Sequence, residues 1–82
     1  MNNGDSKKVK LKLFGNLREK FAEHHGTTLE LQEGSTVESM LNSVGIPEEK
    51  AKLIMVNGTD KDIDYTIEDG DTISIFPIVM GG

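Results

Sequence analysis

The stretch GSTVESMLNSVGIP, residues 34–47, predicts an amphipathic helix and with it the layout of the domain. Ser35 lies three residues before Glu38, the spacing of a capping box in which each side chain bonds the other residue's free backbone N–H group. Gly45 and Pro47 are typical of a helix end. Four apolar residues recur between these signals at helical spacing: Val37, Met40, Leu41 and Val44. Such a helix can cover one face of a sheet.

Four segments with strand character surround this helix: KVKLKLF at 8–14, TTLELQ at 27–32, KLIMVNG at 52–58 and DTISIF at 71–76. The first alternates between lysine and apolar residues, which predicts a strand with one exposed and one buried side. The stretch GNLREKFAEHHG between the first two strands predicts a short helix that Asn16 caps. The order strand, short helix, strand, helix, strand, loop, strand predicts an α+β roll, in which one main helix covers a mixed sheet of four to five strands.

Length, charge and composition restrict the class of protein. The chain has 82 residues, a net charge of −5 and no cysteine, so we expect one domain without disulfides. The negative charge argues against nucleic-acid binding. The start MNNGDSKK lacks the apolar stretch of a signal peptide, and no apolar run is long enough to cross a bilayer. We therefore expect a cytoplasmic protein that is monomeric when free and binds no membrane.

Two groups of polar residues resemble metal ligands but fail the test of spacing. Asp60, Asp62, Asp64 and Asp71 match some positions of a calcium loop, but Tyr65 stands where that loop needs glycine. His24 and His25 are adjacent, so they point in different directions on a helix. We therefore predict no metal site.

The segment FPIVMGG, residues 76–82, suits threading into a narrow channel. Six residues from Pro77 to Gly82 can extend to about 20 Å. Gly81 and Gly82 lack Cβ atoms, so another protein could close around their backbone. Pro77 favours an extended backbone and lowers the entropy lost on capture. We therefore divide the chain into a disordered segment at 1–7, a domain at 8–76 and a flexible tail at 77–82.

Four stretches together resemble a known family: VKLKLFGNLREKF, STVESML, MVNG and EDGDTISIFPIVMGG. They are similar to the MoaD/ThiS sulfur carriers of the ubiquitin-like β-grasp fold, and most of all to the small subunit of molybdopterin synthase. The resemblance covers residues 8–82. Ile78 departs from a frequent second proline of that subunit, and Met80 departs from a frequent alanine. These departures bear on the choice of partner more than on the chemistry.

The resemblance implies that the reacting group is the C-terminal carboxylate of Gly82, preceded by Gly81. An E1-like adenylyltransferase of the MoeB/ThiF type would adenylate it with ATP and Mg²⁺, and the adenylate would become a thiocarboxylate. The carrier would bind no cofactor itself and would need no catalytic side chain. A MoaE-like large subunit would receive the sulfur for molybdenum cofactor synthesis, so the chain would not be an enzyme alone.

Two other uses of the same tail stay open. A close variant would supply sulfur to thiamine, tRNA or cysteine synthesis. A ubiquitin-like modifier would instead be joined through Gly82 to lysines of target proteins. A pure binding module is a third interpretation, and it predicts that loss of Gly81 and Gly82 leaves function intact.

Strand alternation also predicts a docking face for the partner. Phe14 is in register with the exposed lysines of the first strand, and Phe76 with Thr72 and Ser74 of the last. Parallel pairing of these strands would bring both rings to one end of the open face, where a partner could bury them. Met55 would extend this surface if Ile54 and Val56 point inward. The tail segment completes the predicted partner contacts: Pro77, Ile78, Val79 and Met80. The alternative is that sheet curvature folds one or both rings against the helix.

Overall fold

A computed structural model describes residues 6–77 and contains five strands and two α-helices in that range. The strands are β1 (Ser6–Leu13), β2 (Thr27–Gln32), β3 (Leu53–Val56), β4 (Thr59–Asp60) and β5 (Thr72–Phe76). The helices are α1 (Gly15–Lys20) and α2 (Val37–Val44), and short 3₁₀ turns occupy Ala22–His24 and Glu48–Lys50. In this part of the chain no helix is long and apolar enough to span a membrane.

The strands form one mixed sheet in the order β2-β1-β5-β3-β4. β1 and β5 are parallel neighbours at its centre, and the other pairs are antiparallel. The apolar side of α2 packs against one face of this sheet, where the buried residues of both elements form a single core. The predicted α+β roll with a mixed sheet and one main helix is therefore confirmed.

The buried side of each strand is the side that alternation predicts. Val9, Leu11 and Leu13 of β1 and Ile73 and Ile75 of β5 are at most 1% exposed. The same core contains the three buried residues of α2, Val37, Met40 and Leu41. Because β1 and β5 are central strands with one fully buried side, their register is fixed by the core, and so is the position of every side chain on the opposite face.

The capping box of α2 lies one residue later than predicted. Thr36, not Ser35, is the N-cap: its hydroxyl accepts from the backbone N–H of Ser39, and the Ser39 hydroxyl accepts from the Thr36 N–H. The backbone carbonyl of Ser35 instead accepts from Ile67, 2.9 Å away, and Thr36 forms a β-bridge with Thr66. The prediction was wrong because a loop distant in sequence sets where the helix begins.

Two further boundaries differ from those predicted. α1 has no side-chain cap, so Asn16 does not cap the helix. The residue before the helix is Phe14, whose backbone N–H still donates to Ile75 of β5. β1 begins at Ser6, inside the segment predicted as disordered. Lys7 explains the earlier start, because its ammonium group donates to the carbonyl of Ile67 at 2.6 Å and lies 3.7 Å from the Glu33 carboxylate.

Candidate docking face and tail exit

The face of the sheet opposite α2, here called the open face, carries the predicted docking residues. Its central strands contribute alternating side chains that point away from the core. These are Lys8, Lys10 and Lys12 of β1, Thr72, Ser74 and Phe76 of β5, and Leu53 and Met55 of β3. The lysines lie toward one end, and the apolar residues lie where β5 leads into Pro77.

Phe14 and Phe76 are side by side at that end. The backbone N–H of Phe14 donates to the carbonyl of Ile75 at 3.1 Å, which continues the parallel pairing of β1 and β5 by one residue. The two rings stack with centroids 4.3 Å apart and an angle of 10° between their planes. Both remain half-buried. The rings therefore cover each other, in place of the alternative in which curvature folds them against the helix.

Leu53 and Met55 extend this apolar surface onto β3. Leu53 pairs with Phe76 in the antiparallel register, and Met55 pairs with Ser74. Ile54 and Val56 are buried, so Met55 faces outward, as its predicted role requires. Leu53 was missed by the sequence analysis, since only the pairing of β3 with β5 shows that it lies opposite Phe76. We call Phe14, Leu53, Met55 and Phe76 the exit patch.

His25 supports the exit patch from the side, a role that the sequence analysis missed. Its Nδ1 atom accepts the backbone N–H of Leu13 at 2.9 Å. Its ring meets Phe14 edge-on, with centroids 6.4 Å apart. Within the described part of the chain, no group of three or more acidic or histidine side chains could hold a metal ion. His25 thus fixes the loop after α1 to the end of β1 beside the aromatic pair.

Gly15 and Pro77 meet where the chain leaves β5. Gly15 has a φ of +61°, a conformation that favours glycine. A Cβ atom built at this position would lie 2.8 Å from Cγ and 3.3 Å from Cδ of Pro77. The turn after β1 therefore passes directly against the first residue beyond β5. Gly15 is a third residue that the sequence analysis missed, and a side chain at this position would meet the ring of Pro77.

We expect Gly15→Ala to destabilise the domain more than Gly26→Ala. Both glycines have positive φ, so each alanine carries a backbone strain of about 1–2 kcal/mol. No atom lies within 4 Å of a Cβ at Gly26, whereas the overlap with Pro77 adds about 1–3 kcal/mol at Gly15. Urea unfolding of the two variants measures the difference.

A double variant tests whether the overlap with Pro77 causes the extra loss of stability. Pro77→Ala removes the Cγ and Cδ atoms that meet the new methyl group, so it should recover most of the extra loss in the Gly15→Ala background. Equal losses in the two alanine variants, or no recovery in the double variant, would show that the contact with Pro77 is unimportant.

The sequence Asp69-Gly70-Asp71 holds the other end of β5 in place. Asp71 is 6% exposed, and its carboxylate accepts from the Asn57 side chain at 2.8 Å, the Tyr65 hydroxyl at 3.0 Å and the Glu68 backbone N–H at 2.9 Å. Partial burial raises the pKa of Tyr65, and the bond to Asp71 and the nearby carboxylates raise it further. Asp71 thus joins the turn after β3, the acidic loop and β5.

Asp69 and Gly70 connect the same turn to β1. The Asp69 carboxylate accepts the backbone N–H of Lys8 at 2.8 Å, and the Gly70 N–H donates to the carbonyl of Lys8 at 2.8 Å. These contacts give the motif a structural role, since they set the starting point of the parallel pairing.

The predicted tail residues Ile78, Val79, Met80, Gly81 and Gly82 lie outside the described residues. The geometry therefore concerns the surface from which the tail departs, and the roles of the five tail residues stay predictions. The partner-binding roles of Phe14, Met55, Phe76 and Pro77 stay predictions as well.

A family profile matches nearly the whole sequence that forms this fold. The profile of the family described as Mut7-C ubiquitin matches residues 6–81. The chain belongs to the Mut7-C ubiquitin family. No curated protein sequence matches it.

Several solved structures are similar to this ubiquitin-like chain, among them a molybdopterin converting factor subunit and a small archaeal modifier protein. A Pyrococcus furiosus protein that carries the name molybdopterin converting factor, subunit 1, is 30% identical, with a TM-score of 0.71 over 89% of this chain and 99% of its own. Small archaeal modifier protein 1 from Methanosarcina acetivorans is 27% identical, with a TM-score of 0.63 over 96% and 100%. The Haloferax volcanii protein HVO 2177 has a TM-score of 0.79 at 20% identity, over 100% and 92%, and shows the fold alone.

These similarities confirm the resemblance to the MoaD/ThiS group. The chain is a small ubiquitin-like protein of the sulfur carrier and modifier type. The fold is that of a small ubiquitin-like carrier protein.

Proposed function

We propose that the chain is a sulfur carrier whose C-terminal Gly82 carboxyl group is adenylated and then converted to a thiocarboxylate. The observation that carries this proposal is the apolar exit patch at the point where β5 continues into the tail. Phe76 stacks on Phe14, and Pro77 follows directly against Gly15. A partner that covers the patch would receive the tail at the same time, because both begin at the end of one strand.

The proposed reaction needs no catalytic side chain from the carrier. A carboxylate oxygen of Gly82 attacks the α-phosphorus of ATP, and pyrophosphate leaves with the Mg²⁺ ion held by the activating enzyme. A sulfide donor then attacks the acyl carbon, AMP leaves, and the C-terminal group becomes a thiocarboxylate. The partner supplies the catalytic groups and the nucleotide site. The carrier supplies the reacting carboxylate. The rate depends on how accurately that carboxylate is positioned and oriented.

The exit patch would provide the binding energy for this encounter. Aromatic residues in the centre of an interface contribute most of its affinity when a partner excludes water from them. Phe14 and Phe76 already stack, so they lose little conformational entropy on binding. Met55 and Leu53 enlarge the contact, and Ile78, Val79 and Met80 would continue it along an apolar groove of the partner or at the edge of its sheet.

The proposed partners are an E1-like adenylyltransferase of the MoeB/ThiF type and a MoaE-like large subunit of molybdopterin synthase, all acting in the cytoplasm. The 30% identity to the P. furiosus protein named as a molybdopterin converting factor subunit supports the choice of the second partner. The chain would be the sulfur-donating subunit of that complex. A pathway to thiamine, tRNA or cysteine would use the same thiocarboxylate with a different acceptor.

A second candidate is a protein modifier joined through Gly82 to lysines of target proteins. The similarity to small archaeal modifier protein 1, at 27% identity, favours it. Both functions share adenylation and the tail, and they differ in the nucleophile that attacks the adenylate. In the modifier a lysine amine ultimately takes the acyl group, so the product is an amide in place of a thiocarboxylate.

Intact-mass analysis tests the proposal directly. After incubation with the cognate activating enzyme, ATP, Mg²⁺ and sulfide, we expect the mass gain of one sulfur-for-oxygen exchange, located in the C-terminal peptide. Omission of ATP is the control. Conjugates to lysine without any thiocarboxylate would favour the modifier. An unchanged Gly82 carboxylate would contradict both functions, provided that the activating enzyme is shown to be active on its own carrier.

A further inference from the structure

Three exposed lysines form a row on the open face: Lys8, Lys10 and Lys12, called here the lysine row. They alternate along β1 with buried Val9 and Leu11, so they share one side of the strand. Within residues 6–77 none of the three ammonium groups forms an ion pair; the lysine that does so is Lys7, with Glu33. The row is therefore a set of exposed positive charges available to another molecule.

The neighbouring strands leave most of this charge uncompensated. Lys8 faces Glu30 of β2, but Lys10 lies between Thr28 and Thr72, and Lys12 lies beside Ser74. Successive lysines on one side of a strand are about 6.6 Å apart. Like charges at this spacing repel one another, and neutral cross-strand neighbours do nothing to offset the repulsion.

Protection of a sheet edge does not explain the row. Lysines often occupy edge strands, where they prevent pairing with another chain. β1 is an interior strand, paired with β2 on one side and β5 on the other.

The row also contrasts with the rest of the molecule and adjoins the exit patch. The chain has a net charge of −5, so three unpaired positive charges on one strand are a local exception. Phe14 follows Lys12 on the same side of the chain, at the end where it stacks on Phe76. Charge and apolar surface are thus parts of one continuous face, with the charge farther from the tail.

We propose that the lysine row orients the activating enzyme by pairing with an acidic surface on that enzyme. This inference rests on the proposed function, because it concerns the partner that receives the tail. Lys12 is about 7 Å and Lys8 about 20 Å along the strand from Phe14. The partner's carboxylates therefore lie within that range of the site that takes Phe76, on the side away from β3. Such complementary charge acts mainly on the association rate and on the choice of orientation.

The test compares two charge reversals of equal size. Lys10→Glu/Lys12→Glu changes the row, whereas Lys20→Glu/Lys50→Glu makes the same change at exposed lysines of α1 and of the 3₁₀ turn at Glu48–Lys50. The measurement is kcat/KM for the carrier in ATP–pyrophosphate exchange by the activating enzyme, at several salt concentrations. Circular dichroism checks that both variants fold.

We expect the row variant to lose about tenfold or more in kcat/KM at low salt, through KM, and to lose the decline with salt that the unmodified chain shows. The control should change less than about twofold. Equal effects in both variants, or none in the row variant, would overturn the proposal. So would tight, row-dependent binding of duplex DNA, which would assign the lysines to phosphate. An unmodified chain that supports no exchange would instead overturn the proposed function itself.

Discussion

Deletion of Gly82 is expected to reduce adenylation by at least about a hundredfold. The change moves the terminal carboxylate back by about 3.5 Å, the length of one extended residue. A misplacement of about 1 Å can already cost about a hundredfold in a reaction that depends on orientation. The fold should be unaffected, because the last core residue in the described part of the chain is Ile75 of β5.

An added alanine after Gly82 should have the same effect, since it displaces the carboxylate in the other direction. Gly82→Ala keeps the length and adds only a Cβ atom, so it separates the demand for position from the demand for a thin chain. One alanine before Met1 is the matched control and should leave exchange unchanged. The measurement is ATP–pyrophosphate exchange with the cognate activating enzyme. Full activity of a chain that mass analysis shows to retain the extra alanine would contradict a role for the Gly82 carboxylate.

Asp71→Ala is expected to destabilise the domain by about 3–5 kcal/mol, the largest effect on stability predicted for this chain. The substitution leaves three donors without their acceptor: the Asn57 amide, the Tyr65 hydroxyl and the Glu68 N–H. It also loosens the segment that starts β5, because the Asp71 carbonyl accepts the N–H of Lys10 at 3.0 Å. The free energy of unfolding of a small domain is about 5–15 kcal/mol in total, so the variant should unfold at a moderate urea concentration.

Two variants give this prediction its controls. Asp71→Asn preserves the shape and can still accept at the position shared by Tyr65 and Glu68, but it sets an amide N–H₂ against that of Asn57, so about half of the loss should remain. Asp64 is exposed, and Asp64→Ala should change stability by less than about 0.5 kcal/mol. The free energy of urea unfolding measures all three. A loss at Asp71 no larger than that at Asp64 would mean that the hydrogen bonds of the buried carboxylate contribute nothing.

Alternation predicted the open face correctly because it is a local property of a strand. Phe14 shares a side with the lysines of β1, and Phe76 shares a side with Ser74, whatever the rest of the chain does. The contact between the rings is different. It needs the parallel register of β1 and β5, which the buried residues of both strands and the turn at Asp71 set together.

The first residue of α2 could not be predicted from the local sequence alone. The apolar stripe from Val37 onward follows from helical spacing alone, and it was predicted correctly. The cap was misplaced by one residue because carbonyl groups of the acidic loop take the first N–H groups: Val37 donates to Tyr65 and Glu38 donates to Ile63. A sequence pattern contains no information about a loop that arrives from 25 residues away.

The sequence by itself determined the class of fold, the buried side of each main strand and the presence of a slender Gly-Gly segment after Phe76. Periodicity and composition act over a few residues, and these features depend on nothing farther away. Only the tertiary structure decided that Leu53 joins the exit patch, that Gly15 lies against Pro77 and that His25 supports Phe14. Each of these contacts joins residues that are brought together by strand pairing and core packing, and free energy summed over the whole core sets that arrangement.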